Sequence, residues 1–357
     1  MSRAFVHRAQ AARVRFGVGA LDHLAEEVDA VGLARVMVIC GPSHQELGRR
    51  VAAHLGARVV AVLPEARMHV PVEVARRAGE VAASVDADGC VAVGGGSAIG
   101  LGKALALERA LPVVAVPTTY AGSEMTPVWG LTEEGAKRTG REPRVQPVAV
   151  VYDPALTLAM PPDLTATSGM NALAHAVEGL YAPDASPITS LMAEEGARAF
   201  AAALPALAAD GTDLEARAEA LYGAWLCGSV LGCTTMGLHH KLCHVLGGTL
   251  GLPHAPTHTV VLPHVLAFNA PAAPEASAAL ARALGADDPV RALWELSGSL
   301  GAPRSLRELG MAEGDIERVV DLAVASPYTN PRPVDARDVE ALLRAAWAGW
   351  SLRTRRR

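Results

Sequence analysis

The stretch HHKLCHVLGGTLGLPHAPTH, residues 239–258, packs five of the chain's twelve histidines and one lysine into twenty positions. A second stretch, SGMNALAHAVEG, sets Asn171 and His175 four residues apart. On a helix that interval puts both side chains on one face, and His240 and His244 share it. Imidazoles can hold a metal ion, move protons near neutral pH or, once protonated, attract an anion. A lone histidine on such a helix is most often a packing residue. Five of them with Lys241 are hard to bury without purpose, because every buried polar ring needs a partner. Three imidazoles can hold zinc with a fourth position open. Neutral donors alone make a weakly selective metal site, so a metal-free pocket is preferred. In it Lys241 and protonated histidines attract an anionic substrate and steady an oxyanion.

These residues need elements to position them. The first 150 residues alternate β-branched runs (RVMVIC, ARVVAVL, GCVAVGGG, LPVVAVPTT) with helical patterns such as HQELGRRVAAHLG and VEVARRAGEVAASV. That order predicts βαβ units and a parallel sheet. The runs do not alternate in polarity, which fits strands covered on both faces. After PVAVVYDP the texture becomes Ala/Leu-rich with apolar residues at helical spacing. The expected fold is α/β plus all-α. A Rossmann-like nucleotide-binding domain over 1–152 precedes a helical catalytic domain over 153–357. Gly247 and Gly248 read as the end of the helix carrying Lys241, and His254 and His258 as the start of the next.

VAVGGGSAIGLGKAL reads as a strand, a tight glycine turn and a helix start. Gly95 and Gly96 let a backbone approach a ligand, Ser97 can cap the helix, and the free N–H groups there suit a pyrophosphate. Neither Gly-x-Gly-x-x-Gly nor the P-loop pattern fits, since Ile99 stands at the third glycine of the first, and Ser97 and Ala104 at required positions of the second. Thr118 and Thr119 should end the next strand, where open α/β sheets bind ligands. Leu156, just past the last strand, completes the candidate cofactor contacts. At the end of RVMVIC a carboxylate would grip the ribose of NAD and repel the phosphate of NADP. Gly41 stands there instead, so NADH and NADPH are both expected as cofactors.

Together, GGGS, PTT, SGMNALAHAVEG and HHKLCHVLGGTLGLPHAPTHTVVLPH resemble the iron-containing, group III alcohol dehydrogenase superfamily and, within it, the maleylacetate reductase branch. The resemblance spans nearly the whole chain. It implies a nucleotide-binding domain, a helical domain, an active site in the cleft between them and a homodimer. Metal-dependent relatives read Gly-Met-Asp-Ala-Leu-x-His, with two further histidines. Carried over, the four positions are Asn171, His175, His244 and His254. Asn171 replaces the carboxylate, Pro253-His254-Ala255 replaces Pro-His-Gly, and TTYAGSE is one residue shorter than usual at Tyr120. Bound metal is therefore not expected.

The implied reaction reduces the conjugated C=C of maleylacetate, a small dicarboxylate, to 3-oxoadipate in the breakdown of aromatic compounds. Lys241 and a histidine would neutralise charge on the ketone oxygen. His175, His244 or His254 would deliver the proton, and His240 and His258 would contact a carboxylate or support their neighbours. Arg332, in the loop 327–332, could hold a carboxylate or belong to a surface turn. Rival readings are a metal-dependent alcohol or polyol dehydrogenase, a metal-dependent lyase related to dehydroquinate synthase, and a nucleotide-binding protein without catalysis.

The bulk numbers agree. A chain of 357 residues exceeds one ordinary core, and with half its residues apolar and 19% charged it is globular. A net charge of −5 does not suit a nucleic-acid binder, and the basic tail RTRRR reads as a solvated end. Five cysteines without repeated spacing read as free thiols. With neither a signal-type start nor a membrane-length apolar run in the sequence, a cytoplasmic protein is expected.

Overall fold

The structure, a computed structural model, describes residues 5–7, 12–133 and 136–349. The basic tail lies outside the described residues. Two compact units result. The first runs over residues 12–160 and also takes in Thr212–Leu221, while residues 5–7 go with the second. The second is built on Pro161–Gly211 and the chain from Tyr222 onward.

In chain order the strands are β1 (Arg13–Phe16), β2 (Val36–Cys40), β3 (Val59–Leu63), β4 (Gly89–Gly94), β5 (Val113–Pro117), β6 (Val128–Glu133), β7 (Ala136–Arg141) and β8 (Ala149–Tyr152). The helices of the first unit are α1 (Leu24–Ala30), α2 (Gln45–Leu55), α3 (Val72–Ser84) and α4 (Gly96–Arg109). A six-stranded, all-parallel sheet runs β1-β8-β5-β4-β2-β3. Every residue of β2, β4, β5 and β8 is buried, as their unalternating apolar sequences predict. The chain passes from β2 out to β3 and then returns to the other side of β2 as β4. That reversal makes the carboxyl ends of β2 and β4 the switch point where such sheets bind ligands.

Two features of this unit were not legible in the sequence. The edge strand β1, RVRF, is short and alternates. The hairpin β6–β7 is antiparallel and stands apart from the main sheet. The loop after β5 is anchored from α4. Lys103, almost fully buried, donates to the Ser123 and Val128 carbonyls and to Thr126 Oγ1. Burial pulls its ammonium pKa down to about 7.

The remaining helices are α5 (Pro162–Leu180), α6 (Pro187–Ala209), α7 (Leu214–Cys233), α8 (Leu238–Leu250), α9 (His254–Asn269), α10 (Pro274–Leu284), α11 (Pro289–Ser299), α12 (Asp315–Val324) and α13 (Ala336–Ala348). Helix α5 is the axis of the second unit and is buried from Thr165 to Gly179. Small residues let its neighbours close in. A Cβ on Gly169 would lie 2.6 Å from Leu204 of α6, and one on Gly179 would lie 2.1 Å from Val230 of α7. Helix α8 does not stop at Gly247 and Gly248. It continues to Leu250 and ends at Gly251, whose φ of 68° suits only glycine comfortably. Helix α9 begins at His254, as expected. Among the described residues no single helix is long and apolar enough to cross a membrane.

Candidate active site

The sheet's switch point gathers the predicted cofactor residues. Gly41 follows β2 in extended conformation. Gly94, with φ at 138°, turns the chain after β4, and Gly95 is the N-cap of α4 with no side chain capping the helix. Ser97 lies inside the first turn, so it does not cap the helix as the sequence suggested. The first-turn N–H groups are thus not tied up by a capping side chain, which suits a phosphate. Thr118 is tied to this loop through its backbone N–H, which donates to Gly94 O at 3.2 Å. Its Oγ1 lies 3.3 Å from His44 Nε2, and burial holds that imidazole's pKa below the usual histidine value. Thr119 packs over the loop: a Cβ on Gly95 would come within 3.0 Å of its Cγ2. Leu156 sits past β8, half-buried against the apolar layer that includes Val114 and Val116. Gly95→Val is therefore expected to weaken NADH binding by about tenfold or more, a loss of about 1.4 kcal/mol. Fluorescence titration checks it, and an unchanged affinity would remove Gly95 from the site.

The second cluster lies wholly in the helical unit, where α5, α8 and α9 meet. Asn171 and His175 on α5 are buried, as are His239 and His240 on α8 and His258 on α9. Lys241 is half-buried, and His244 and His254 are exposed. The rings form a connected set. His175 stacks on His240 with centroids 5.3 Å apart, and His239 Nε2 lies 2.9 Å from His258 Nδ1. The His254 ring lies 4.3 Å from His258, and the His244 ring 6.1 Å from His240. Cys243 Sγ stands 3.8 Å from His239 Nε2, so His239, Cys243 and His258 form a compact buried donor set. Lys241 Nζ donates to Ser326 Oγ at 2.8 Å. Ser326 belongs to the wall of a cavity of about 370 Å³ that Tyr328, Asn330 and Arg332 also line. Arg332 itself lies over the Phe268 ring and reaches Asp338 at 3.5 Å.

Burial sets the charge of these rings. Desolvation, then the fields of neighbouring histidines, holds His175, His239 and His258 well below the ordinary imidazole pKa. They are neutral rings near pH 7. The expectation of protonated histidines is corrected accordingly for His175, His239 and His258.

Sequence reasoning missed one residue at the heart of the cluster. Glu178, three positions after His175 in the same quoted motif, accepts a hydrogen bond from His240 Nδ1 at 2.6 Å. Its spacing from His175 was the available signal. Glu178 is buried.

Sequence profiles carry the geometry to a family. The profile of iron-containing alcohol dehydrogenase matches residues 11–154, and that of the C-terminal region of the Fe-containing alcohol dehydrogenase family matches 165–347. The chain belongs to the iron-containing alcohol dehydrogenase family. Within that family it is 54% identical to a maleylacetate reductase of Burkholderia cepacia, over 97% of this chain and 98% of that one. It also superposes on two solved maleylacetate reductases, each covering 98% of this chain and 99% of the other. The one from Rhizobium sp. strain MTP-10005 is 47% identical with a TM-score of 0.94. The one from Agrobacterium tumefaciens is 46% identical with a TM-score of 0.95.

The name of the iron-containing alcohol dehydrogenase family implies iron, and the donors here fit it poorly. Asn171 offers a neutral amide oxygen, buried and without a hydrogen-bond partner. The carboxylate of Glu178 already receives four hydrogen bonds. What is left is an amide, imidazoles and the Cys243 thiol, whose pKa burial raises well above the usual value, so no ready anion balances a divalent cation, and such sets hold hard or borderline metals weakly.

Proposed function

We propose that this iron-containing alcohol dehydrogenase family member reduces the conjugated C=C of maleylacetate to 3-oxoadipate through residues of its helical unit, without a resident metal. The activity is carried by one observation: the maleylacetate reductases it matches are about half identical to it over nearly its whole length. The chain is an NAD(P)H-dependent oxidoreductase. Gly41, Gly95, Gly96, Ser97, Thr118, Thr119 and Leu156 are its proposed cofactor contacts, and bound NADH or NADPH supplies the hydride. No carboxylate replaces Gly41, so both cofactors are accepted.

Maleylacetate carries two carboxylates and an enone. Hydride adds to the alkene carbon β to the ketone, and negative charge passes to the ketone oxygen. The Lys241 ammonium meets that charge. A proton then goes to the α carbon, from His244 or His254, the exposed rings of the set. One hydride and one proton together saturate the double bond and leave the ketone intact. Asn171, His175 and His240 line the buried side of the site. The five cysteines, none in a disulfide, suit a reducing cytoplasm, and a homodimer is the assembly expected from the family.

Purified enzyme is expected to consume NADH on addition of maleylacetate, and to keep its rate after exhaustive treatment with a chelator. Loss of activity on chelation, restored by iron or zinc, would return the metal-dependent dehydrogenase reading. Oxidation of simple alcohols with NAD and no turnover of maleylacetate would do the same.

A further inference from the structure

We propose that Glu178 is a positioning residue that fixes the tautomer and the orientation of His240, a role that rests on the reductase reading above. Its carboxylate reaches the start of α8 from α5. Oε1 accepts from His239 N at 2.8 Å, and Oε2 accepts from Gly237 N at 3.1 Å, His240 N at 3.2 Å and His240 Nδ1 at 2.6 Å. All four partners are donors, so both oxygens serve as acceptors.

Three of those donors are first-turn N–H groups that a helix cannot satisfy internally. Normally a local side chain would cap them, but the N-cap of α8 is Gly237, which has none. The glycine is what admits the carboxylate. A Cβ there would lie 3.2 Å from Glu178 Oε1 and 2.7 Å from Thr329 O. Negative charge at a helix N-terminus is also favoured by the aligned peptide dipoles. Glu178 is thereby held rigidly, and it holds His240 in turn.

The fourth bond carries the chemical consequence. With Nδ1–H committed to Glu178, the nitrogen left to face away from it is Nε2. That atom is buried and has no hydrogen-bond partner. The ring cannot flip to hide it, because Glu178 grips one edge and His175 stacks on one face. His240 therefore presents a single fixed nitrogen toward the proton and charge movements of the reduction. Buried carboxylates orient imidazoles for chemistry in this manner in other enzymes.

The test combines kinetics with 15N NMR of histidine-labelled enzyme, the His240 signals being assigned with His240→Gln. Wild type is expected to show a slowly exchanging Nδ1–H on His240. Glu178→Gln is expected to lose that signal and about 10²–10⁴-fold in kcat, with KM for maleylacetate and affinity for NADH little changed. Glu178→Asp, which keeps the charge, should recover part of the rate. The double variant should be no slower than His240→Gln alone, since residues acting as a unit are not additive. Wild-type kcat in Glu178→Gln, or losses that multiply in the double variant, would overturn the proposal. If Glu178→Gln does not fold, the wild-type spectrum decides, and an Nε2–H tautomer at neutral pH overturns it. A wild type that fails to turn over maleylacetate rejects the reductase reading instead, and the tautomer measurement still stands.

Discussion

Lowering the pH from 6.5 to 5.5 is expected to cost the helical unit about 4 kcal/mol of stability. His175, His239 and His258 resist protonation in the fold, chiefly because burial penalises the charged form. In the unfolded chain each titrates at about 6.5. Below that value the unfolded state binds three protons that the native state refuses, so stability falls as pH falls and is fully present above it. Over this window each such group contributes about 1 kcal/mol, because the unfolded imidazole starts half protonated at pH 6.5, and four such groups make up the total. His264, whose imidazole pKa burial pushes down to about 4, is the fourth. Domains rarely hold more than about 5–15 kcal/mol in total, so unfolding should follow within a few units. Denaturant midpoints from pH 7.5 down to 5.0 measure it. A midpoint that does not move over this range would mean that the three rings are already charged in the folded protein.

Lys241→Ala is expected to reduce kcat by about a hundredfold to a thousandfold, the usual cost of losing a donor to a developing oxyanion. Lys241 is half-buried and donates to Ser326, and among the described residues no carboxylate pairs with it. Its charge is therefore available to substrate. His244→Ala is expected to lose about a hundredfold or more if its ring delivers the proton, with partial rescue by added imidazole. Affinity for NADH should hold in both, since both side chains belong to the helical unit. Steady-state kinetics with maleylacetate separates the cases. Wild-type turnover in both variants would remove these roles.

How far the sequence reveals this molecule depends on the kind of signal. Apolar runs such as VMVIC and VVAVP announce buried parallel strands, because a strand covered on both faces has no polar positions to alternate. RVRF does not, since a four-residue edge strand with two arginines resembles a loop. Gly247 and Gly248 looked like a helix end, but glycine stops a helix only where φ turns positive. That happens at Gly251. The histidine cluster was visible as types and spacing. Its charge state was not, because desolvation is a property of the packed unit rather than of the motif. Glu178 was hidden for the same reason. Its partners are 59 to 62 positions away in the chain.

The glycine seams of α5 carry a last consequence. Gly169 and Gly179 bracket Asn171 and His175, and at both ends the neighbouring helices have closed to the limit that hydrogen alone permits. The intervening two and a half turns form a stave clamped at each end, with almost no freedom to slide or tilt. Exchanging the amide of Asn171 for an acid should leave the backbone in register and change only what the stave presents. On the metal-free reading proposed above, a change of donor at this position needs no refitting of the framework that carries it.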